Sequence, residues 1–77
     1  MTRKRMMNSY NIYGYGNVNF QPTFGNALSY AAELIRDHWK ETGDLGECFA
    51  VVYDKLNHTR TIVWLTDDLK VKYRKLF

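Results

Sequence analysis

The clearest pattern along the chain is a helical repeat of apolar residues that follows Pro22 and Thr23. Its apolar positions recur every three or four residues, as on one side of an α-helix, and they are Phe24, Ala27, Leu28, Ala31, Leu34, Ile35 and His38. Polar residues occupy the opposite side, with Tyr30 and Trp39 at the two borders. Thr23 has the chemistry of an N-cap, and Gly43 suits the left-handed position that ends many helices. The pattern predicts one amphipathic helix between these two residues.

The segment before this helix alternates between two sets of residues instead. One parity consists of Tyr10, Ile12, Gly14, Gly16, Val18 and Phe20, and the other of Asn11, Tyr13, Tyr15, Asn17 and Asn19. A period of two is typical of a β-strand with one buried face. Gly14 and Gly16 weaken the strand pattern and indicate a bulge, a bend, or a turn that divides the segment into a short hairpin.

Two further strands are predicted after the helix. Residues 48–53 are apolar, rich in β-forming types and too short for a typical helix, so we interpret them as the central strand. Residues 61–65 resume this character after a polar loop, which predicts an antiparallel hairpin. Residues 66–77 fit a short helix and, almost equally well, a strand in which apolar residues alternate with lysine and arginine. We favour the helix.

Together these elements predict an α+β fold. Its expected form is a small β-α-β-β sheet with one main helix packed on one face, plus a short C-terminal helix or strand. A chain of 77 residues has room for one small core, so we assign residues 10–77 to a single domain. Residues 1–9 lack periodicity and include Arg3, Lys4 and Arg5, which predicts a flexible basic tail.

The composition excludes several kinds of chemistry. Cys48 is the only cysteine, so the chain can form neither an internal disulfide nor a multi-cysteine metal site. The two histidines, His38 and His58, match no metal-binding or nucleophilic motif in their spacing to Cys48. The Gly-Tyr-Gly sequence of residues 14–16 lacks the third glycine of a dinucleotide-binding loop, since position 19 is asparagine. We therefore expect no cofactor, no metal and no catalytic activity.

Neither a signal peptide nor a membrane-spanning segment is predicted. The basic residues 3–5 are followed by a polar, tyrosine-rich stretch, where a signal peptide needs an apolar one. The longest apolar run, residues 48–53, has the length of one strand rather than of a bilayer span. We expect a cytoplasmic protein that does not bind membranes.

The net charge of +3 is distributed unevenly. Basic residues gather at both ends of the chain, whereas acidic residues predominate in residues 21–54. Glu33, Asp37 and Glu41 are four residues apart and are predicted to lie on the solvated side of the helix. A net charge of +3 is therefore too modest to imply a nucleic-acid partner unless the two basic ends converge in space.

One helix covers only one face of a small sheet, so the other face needs a covering. With Ile12, Val18 and Phe20 toward the helix, alternation places Tyr13 and Tyr15 on that other face. For the two strands after the helix, the pattern does not decide which parity is covered. The alternatives for the covering are the C-terminal helix, a second copy of the chain forming a homodimer, or another macromolecule.

The favoured hypothesis is a non-catalytic binding module, a small regulator or inhibitor that docks on a protein partner. In size and architecture alone the chain resembles phage-encoded inhibitors of host machinery. The alternative is a basic nucleic-acid-binding domain, in which the lysine- and arginine-rich ends contact phosphates and sheet-face tyrosines stack on bases. The residues predicted to bind a partner are Tyr13, Tyr15, Trp39, Arg3, Lys4, Arg5, Lys70, Lys72, Arg74 and Lys75.

Overall fold

The computed structural model describes residues 8–76, which form a five-stranded sheet with one α-helix on one face. The elements are β1 (Tyr10–Gly14), β2 (Asn17–Gln21), α1 (Phe24–Thr42), a 3₁₀ helix (Leu45–Glu47), β3 (Phe49–Asp54), β4 (Thr59–Leu65) and β5 (Val71–Lys75). The sheet is antiparallel throughout, in the order β2-β1-β3-β4-β5, so β3 is the central strand as predicted. The α+β class is confirmed, but the element order is β-β-α-β-β-β rather than β-α-β-β.

The helix α1 begins and ends where the sequence predicts. The Thr23 hydroxyl caps its start by accepting a hydrogen bond from the Asn26 N–H at 3.1 Å. Gly43 ends it in the left-handed conformation, with φ at 69°, and donates its N–H to the Trp39 carbonyl at 2.7 Å. No helix in the described part of the chain, α1 included, has the length and apolarity needed to cross a membrane.

The core lies between α1 and the three central strands. Its fully buried or nearly buried residues are Ile12, Ala27, Ala31, Ile35, Cys48, Ala50, Val52, Val63 and Leu65. Gly14 belongs to the same layer, because a Cβ atom built on it would lie 3.3 Å from the Leu34 side chain. Alanines on both sides and this glycine keep the helix close to the sheet.

Residues 10–21 form a hairpin rather than one continuous strand. Its turn consists of Tyr15 and Gly16, whose positive φ angles of 54° and 78° are those of a type I′ turn. Gly14 pairs with Asn17 directly across this turn. Of the bulge, the bend and the hairpin turn that the two glycines indicated, the structure contains the hairpin turn.

The turn also changes which residues face the helix. A two-residue loop makes an even-numbered residue pair with an odd-numbered one, so the buried parity reverses between β1 and β2. Ile12 packs beneath α1 as predicted. The prediction that Val18 and Phe20 also face α1 is wrong, because the register pairs Val18 with Tyr13 and Phe20 with Asn11 on the opposite face.

Of the two alternatives for the C-terminal segment, the strand is confirmed and the favoured helix is wrong, because this segment forms β5 and pairs with β4. Thr66 organises the turn before it: the Thr66 hydroxyl accepts a hydrogen bond from the Lys70 N–H at 3.1 Å, and the Thr66 N–H donates to the Lys70 carbonyl at 2.8 Å. A threonine oxygen that binds a nearby backbone N–H serves a turn as well as a helix start. The C-terminal helix is thereby removed as a covering for the sheet.

The predicted tail lies mostly outside the described residues, which exclude residues 1–7 and Phe77. Arg3, Lys4 and Arg5 belong to this excluded part. Of the two remaining tail residues, Ser9 accepts a backbone hydrogen bond from the Lys55 N–H at 2.9 Å. The described chain is thus attached to the β3–β4 turn from Ser9 onward.

The turn between β3 and β4 is organised by the Asp54 carboxylate. It accepts hydrogen bonds from the backbone N–H groups of Leu56 and Asn57, at 3.0 and 3.2 Å, and from the Asn57 side-chain amide at 2.9 Å. Desolvation opposes the charged form, but these hydrogen bonds and the nearby charge of Lys75 outweigh it. The pKa of Asp54 is therefore lowered from its ordinary value of 3.8.

We expect Asp54 to make the free energy of unfolding depend on pH. Since its pKa is lower in the folded than in the unfolded chain, its contribution is complete above about pH 3.8 and disappears as the pH falls through the lowered pKa. Thermal melts of the wild type and Asp54→Asn between about pH 2 and 6 measure this. The wild type should be the more stable at pH 6, and the difference should shrink on acidification. A difference that does not change with pH would contradict the expectation.

Candidate binding face of the sheet

In the described part of the chain, α1 covers one face of the sheet and nothing covers the other. We call this other surface the open face. By the strand register, its side chains are Asn11, Tyr13, Val18, Phe20, Phe49, Val51, Tyr53, Arg60, Ile62, Trp64, Lys72 and Arg74. Large apolar side chains are exposed on it, since Tyr13, Val18, Phe20 and Phe49 are each between 44% and 49% exposed. Such a patch is typical of an interaction surface.

Much of the open face is aromatic. The rings come from four strands, β1 to β4, and they are Tyr13, Phe20, Phe49, Tyr53 and Trp64. A shallow depression of about 510 Å³ lies between the β1–β2 hairpin and β3, and Tyr13, Val18, Phe49 and Val51 form its apolar part. The face therefore offers both flat rings and a concave apolar area.

The charged groups at open-face positions of the described strands are all basic. Arg60 comes from β4, and Lys72 and Arg74 come from the edge strand β5. Lys55 joins them from the β3–β4 turn, with its ammonium 5.6 Å from the centre of the Phe20 ring. The acid within these strands, Asp54, stands at a helix-side position. Cations therefore predominate over the strands of this face, while two carboxylates of the β4–β5 turn, Asp67 and Asp68, border it beside Trp64.

The acidic residues of the helix lie on the other side of the molecule. Glu33, Asp37 and Glu41 are exposed on the outer surface of α1, as the sequence predicts. The same outer surface also carries Arg36 and Lys40, so α1 has a net charge of −1, whereas three cations give the open-face strand positions a charge of +3. An anion is therefore attracted more to the open face than to α1.

Tyr15 does not belong to the open face, so the prediction that it points away from the helix is wrong. Its ring stacks on His38 of α1, with the two ring centres 4.1 Å apart. Its hydroxyl donates to the Glu47 carbonyl at 2.7 Å and accepts from the Phe49 N–H at 3.2 Å. Burial raises the pKa of Tyr15 and keeps this hydroxyl protonated. Tyr15 ties the hairpin tip to α1 and to the start of β3.

The remaining residues predicted to bind a partner are divided between the two sides of the sheet. Lys72 and Arg74 lie on the open face, whereas Lys75 takes a helix-side position on the same strand. Lys70 lies in the turn between β4 and β5. Trp39 packs half-buried against the core on the helix side. Of the predicted binding residues that the structure describes, Tyr13, Lys72 and Arg74 share one surface, whereas Tyr15, Trp39 and Lys75 lie on the helix side.

Nine of the twelve members of the open face were not among the predicted binding residues. Four of these nine lie on β3 and β4 and carry an aromatic ring or a charge, namely Phe49, Tyr53, Arg60 and Trp64. The alternation within β3 and β4 groups them correctly, but the sequence does not say which parity the helix covers. Arg60 was not predicted to bind a partner because the predicted strand begins at residue 61, whereas β4 begins at Thr59.

Asn11 leaves one polar group unpaired on the open face. Its side-chain amide donates to the Tyr13 hydroxyl at 2.9 Å. Its Oδ1 atom is buried and has no hydrogen-bond partner.

The side chains suited to catalysis are dispersed. His38 packs against the hairpin tip, and His58 lies in the β3–β4 turn with its Nδ1 3.2 Å from the Tyr53 hydroxyl. Cys48 is buried, which raises the pKa of its thiol and leaves it in the weakly nucleophilic neutral form. Within residues 8–76, no three His, Cys, Asp or Glu side chains are grouped so that they could hold a metal ion. The open face provides contacts for binding.

Comparisons with protein-family models, with curated proteins and with solved structures return no match to this chain. The open face is therefore interpreted from its own residues.

Proposed function

We propose that this protein is a non-catalytic binding module whose open face binds single-stranded nucleic acid. The observation that carries the proposal is the presence of exposed aromatic rings and cations on one surface, with the helix acids on the opposite surface. Unpaired bases stack on aromatic rings, and phosphates bind lysine and arginine. Stacking needs no particular base, so we expect little sequence preference.

The shape of the surface favours a single strand over a duplex. A sheet face is too broad for a groove of the duplex, which admits a helix or a two-stranded ribbon. The bases of a duplex are also already stacked on one another and do not present their faces. In a single strand the bases are free to lie on Tyr13 and Phe49, which are 44% and 47% exposed.

A binding measurement with labelled oligonucleotides tests the proposal. We expect fluorescence anisotropy to show binding of twelve-nucleotide single strands, and at least roughly tenfold weaker binding of the matching duplex. With three or four phosphate contacts, the association constant should fall roughly 20- to 50-fold between about 50 and 200 mM salt. Failure to bind any single strand at the low-salt end would contradict the proposal.

A triple variant, in which Arg3, Lys4 and Arg5 are replaced by glutamine, tests whether the open face or the basic residues near the N-terminus bind the strand. It should still bind single strands, with a weaker dependence on salt if these residues add phosphate contacts. Complete loss of binding would assign the contacts to residues 3–5 instead of the open face.

The second candidate is a small regulator or inhibitor that docks on an acidic protein surface. The apolar depression beside Tyr13 and Phe49 favours it, because a concave apolar area receives a side chain from a protein partner. This candidate predicts no binding to any of the oligonucleotides. It also predicts that Phe49→Glu abolishes binding to an identified protein partner while the melting temperature changes little.

A second copy of the chain fits the open face less well. Two open faces packed against each other would bring Arg60, Lys72 and Arg74 of both copies into one interface. The described strands offer no open-face acid to pair with these cations, so they would be desolvated without compensation. An anionic partner avoids this cost.

A further inference from the structure

The strand register divides the open face into three rows that run across the sheet. The first row is Phe20, Asn11, Tyr53 and Arg60; the second is Val18, Tyr13, Val51, Ile62 and Arg74; the third is Phe49, Trp64 and Lys72. Every row has an aromatic ring on β1 or β3. Every row also ends in one cation on β4 or β5. The rows therefore share a composition of ring and cation, although the separation between ring and cation increases from one strand spacing in the first row to two in the third and three in the second.

The spacing of the rows limits what can occupy them. Neighbouring rows are two residues apart along a strand, which is roughly 6.6 to 6.8 Å. This is about twice the 3.4 Å by which one strand of a duplex advances per nucleotide. Nucleotides that follow the rows must therefore be unstacked from one another, with each base on its own ring, as in single-stranded recognition by proteins.

We infer that three consecutive nucleotides of a single strand occupy the three rows, one nucleotide in each. The phosphates lie along β4 and β5, beside Arg60, Arg74 and Lys72, and the bases stack on the rings of β1 and β3. The bound strand then runs parallel to the β-strands. This inference rests on the proposed function and adds the path and the length of the site.

The repeat is what selects a nucleic acid. Each nucleotide contains one flat base and one negative charge, in the same order along the whole strand. A folded protein surface has no such repeat, so it gives no reason for a ring and a cation in every row. The cations also lie on one side of the rings in all three rows, as a single continuous backbone requires.

The first row differs from the others in the unbound protein. The Arg60 guanidinium lies 5.4 Å from the centre of the Tyr53 ring, where a base would stack. A base that binds here displaces the guanidinium, which then pairs with a phosphate. The rings of the second and third rows carry no such cation contact in the described residues, so Tyr13 and Phe49 are the better positions for a test.

The test uses a 5′-phosphorylated thymidine trinucleotide, which has one phosphate and one base for each row. Three further ligands each replace one nucleotide by an abasic residue. Binding of the wild type, Tyr13→Leu and Phe49→Leu is measured by NMR titration. Tyr73→Leu is the matched control, because Tyr73 is a 55% exposed aromatic residue on the helix side of β5.

Each open-face variant should lose about fivefold or more in affinity for the complete trinucleotide, and Tyr73→Leu should lose none. The loss caused by Tyr13→Leu should vanish for the ligand with the middle base removed, because Tyr13 belongs to the second row. The loss caused by Phe49→Leu should vanish for one of the two ligands with an end base removed. Melting temperatures confirm folding, and Tyr13→Val and Phe49→Val replace any variant that does not fold.

The outcomes separate this inference from the proposed function. If the protein binds twelve-nucleotide strands but not the trinucleotide, the site is longer than three nucleotides and the inference is wrong. It is also wrong if both variants lose affinity with no dependence on the abasic position, or if Tyr13 responds to an end position. In each of these cases the proposed function stands. If no single strand binds at all, the proposed function is wrong, and the inference that rests on it is wrong as well.

Discussion

Replacing Lys72 and Arg74 together with glutamine should weaken the binding of single-stranded nucleic acid by about a hundredfold or more at low salt. A hydrogen bond to a charged group contributes about 1.5 to 3 kcal/mol, so two lost phosphate contacts remove about 3 kcal/mol at least. Each 1.4 kcal/mol is about a tenfold change in affinity. Both residues are exposed on the edge strand β5, so their replacement should leave the fold intact.

The matched control is the double variant Arg36→Gln and Lys40→Gln. These two residues are exposed on the outer surface of α1, and their replacement lowers the net charge from +3 to +1, as in the β5 variant. The control should bind almost as tightly as the wild type. In the β5 variant, the slope of log affinity against log salt should also become shallower by about 1.4. Equal weakening by the two variants would show that net charge, and not the open face, determines binding.

The helix was predictable because several local signals agree. Its apolar repeat, the Thr23 cap and Gly43 all act within a few residues of one another, and the structure places both ends accordingly. The C-terminal segment had no such agreement. Thr66 with the acids after it suits a helix start and a turn equally, because both use the same hydrogen bond from a side-chain oxygen to a backbone N–H. Only pairing with β4 decides between them.

The binding face was predictable only in part, because its membership depends on the sheet register. The polarity pattern from Tyr10 to Phe20 is continuous, yet the pairing of Gly14 with Asn17 reverses the buried parity halfway along it. That reversal moves Val18 and Phe20 to the open face. Similarly, no local signal shows whether α1 covers the odd- or even-numbered residues of β3. The packing of α1 on the sheet decides this, and it leaves Phe49 on the uncovered side.

Tyr15 is the residue whose predicted and observed roles differ most, and its replacement should have the largest effect on stability. We expect Tyr15→Asn to lower the free energy of unfolding by about 2 to 4 kcal/mol. The variant loses the ring stack on His38, which contributes about 0.5 to 1.5 kcal/mol, and two hydrogen bonds of similar value. A domain of this size has only about 3 to 5 kcal/mol in total.

Asparagine is the informative substitution because it favours the turn itself. Tyr15 adopts a φ of 54°, a conformation that asparagine tolerates well, and Asn-Gly is the preferred sequence of a type I′ turn. Local preference therefore predicts that Tyr15→Asn stabilises the protein, whereas the contacts of Tyr15 predict the opposite. We expect the contacts to dominate, with a decrease in melting temperature of roughly 10 to 30 °C.

Tyr15→Phe separates the contribution of the Tyr15 ring to the free energy of unfolding from that of its hydroxyl group. It retains the stack on His38 and loses only the hydrogen bonds to Glu47 and Phe49, so about 1 to 2 kcal/mol should be lost. Calorimetry should therefore rank the wild type above Tyr15→Phe and both above Tyr15→Asn. A melting temperature of Tyr15→Asn at or above that of the wild type would mean that the turn, not the contacts, governs this position.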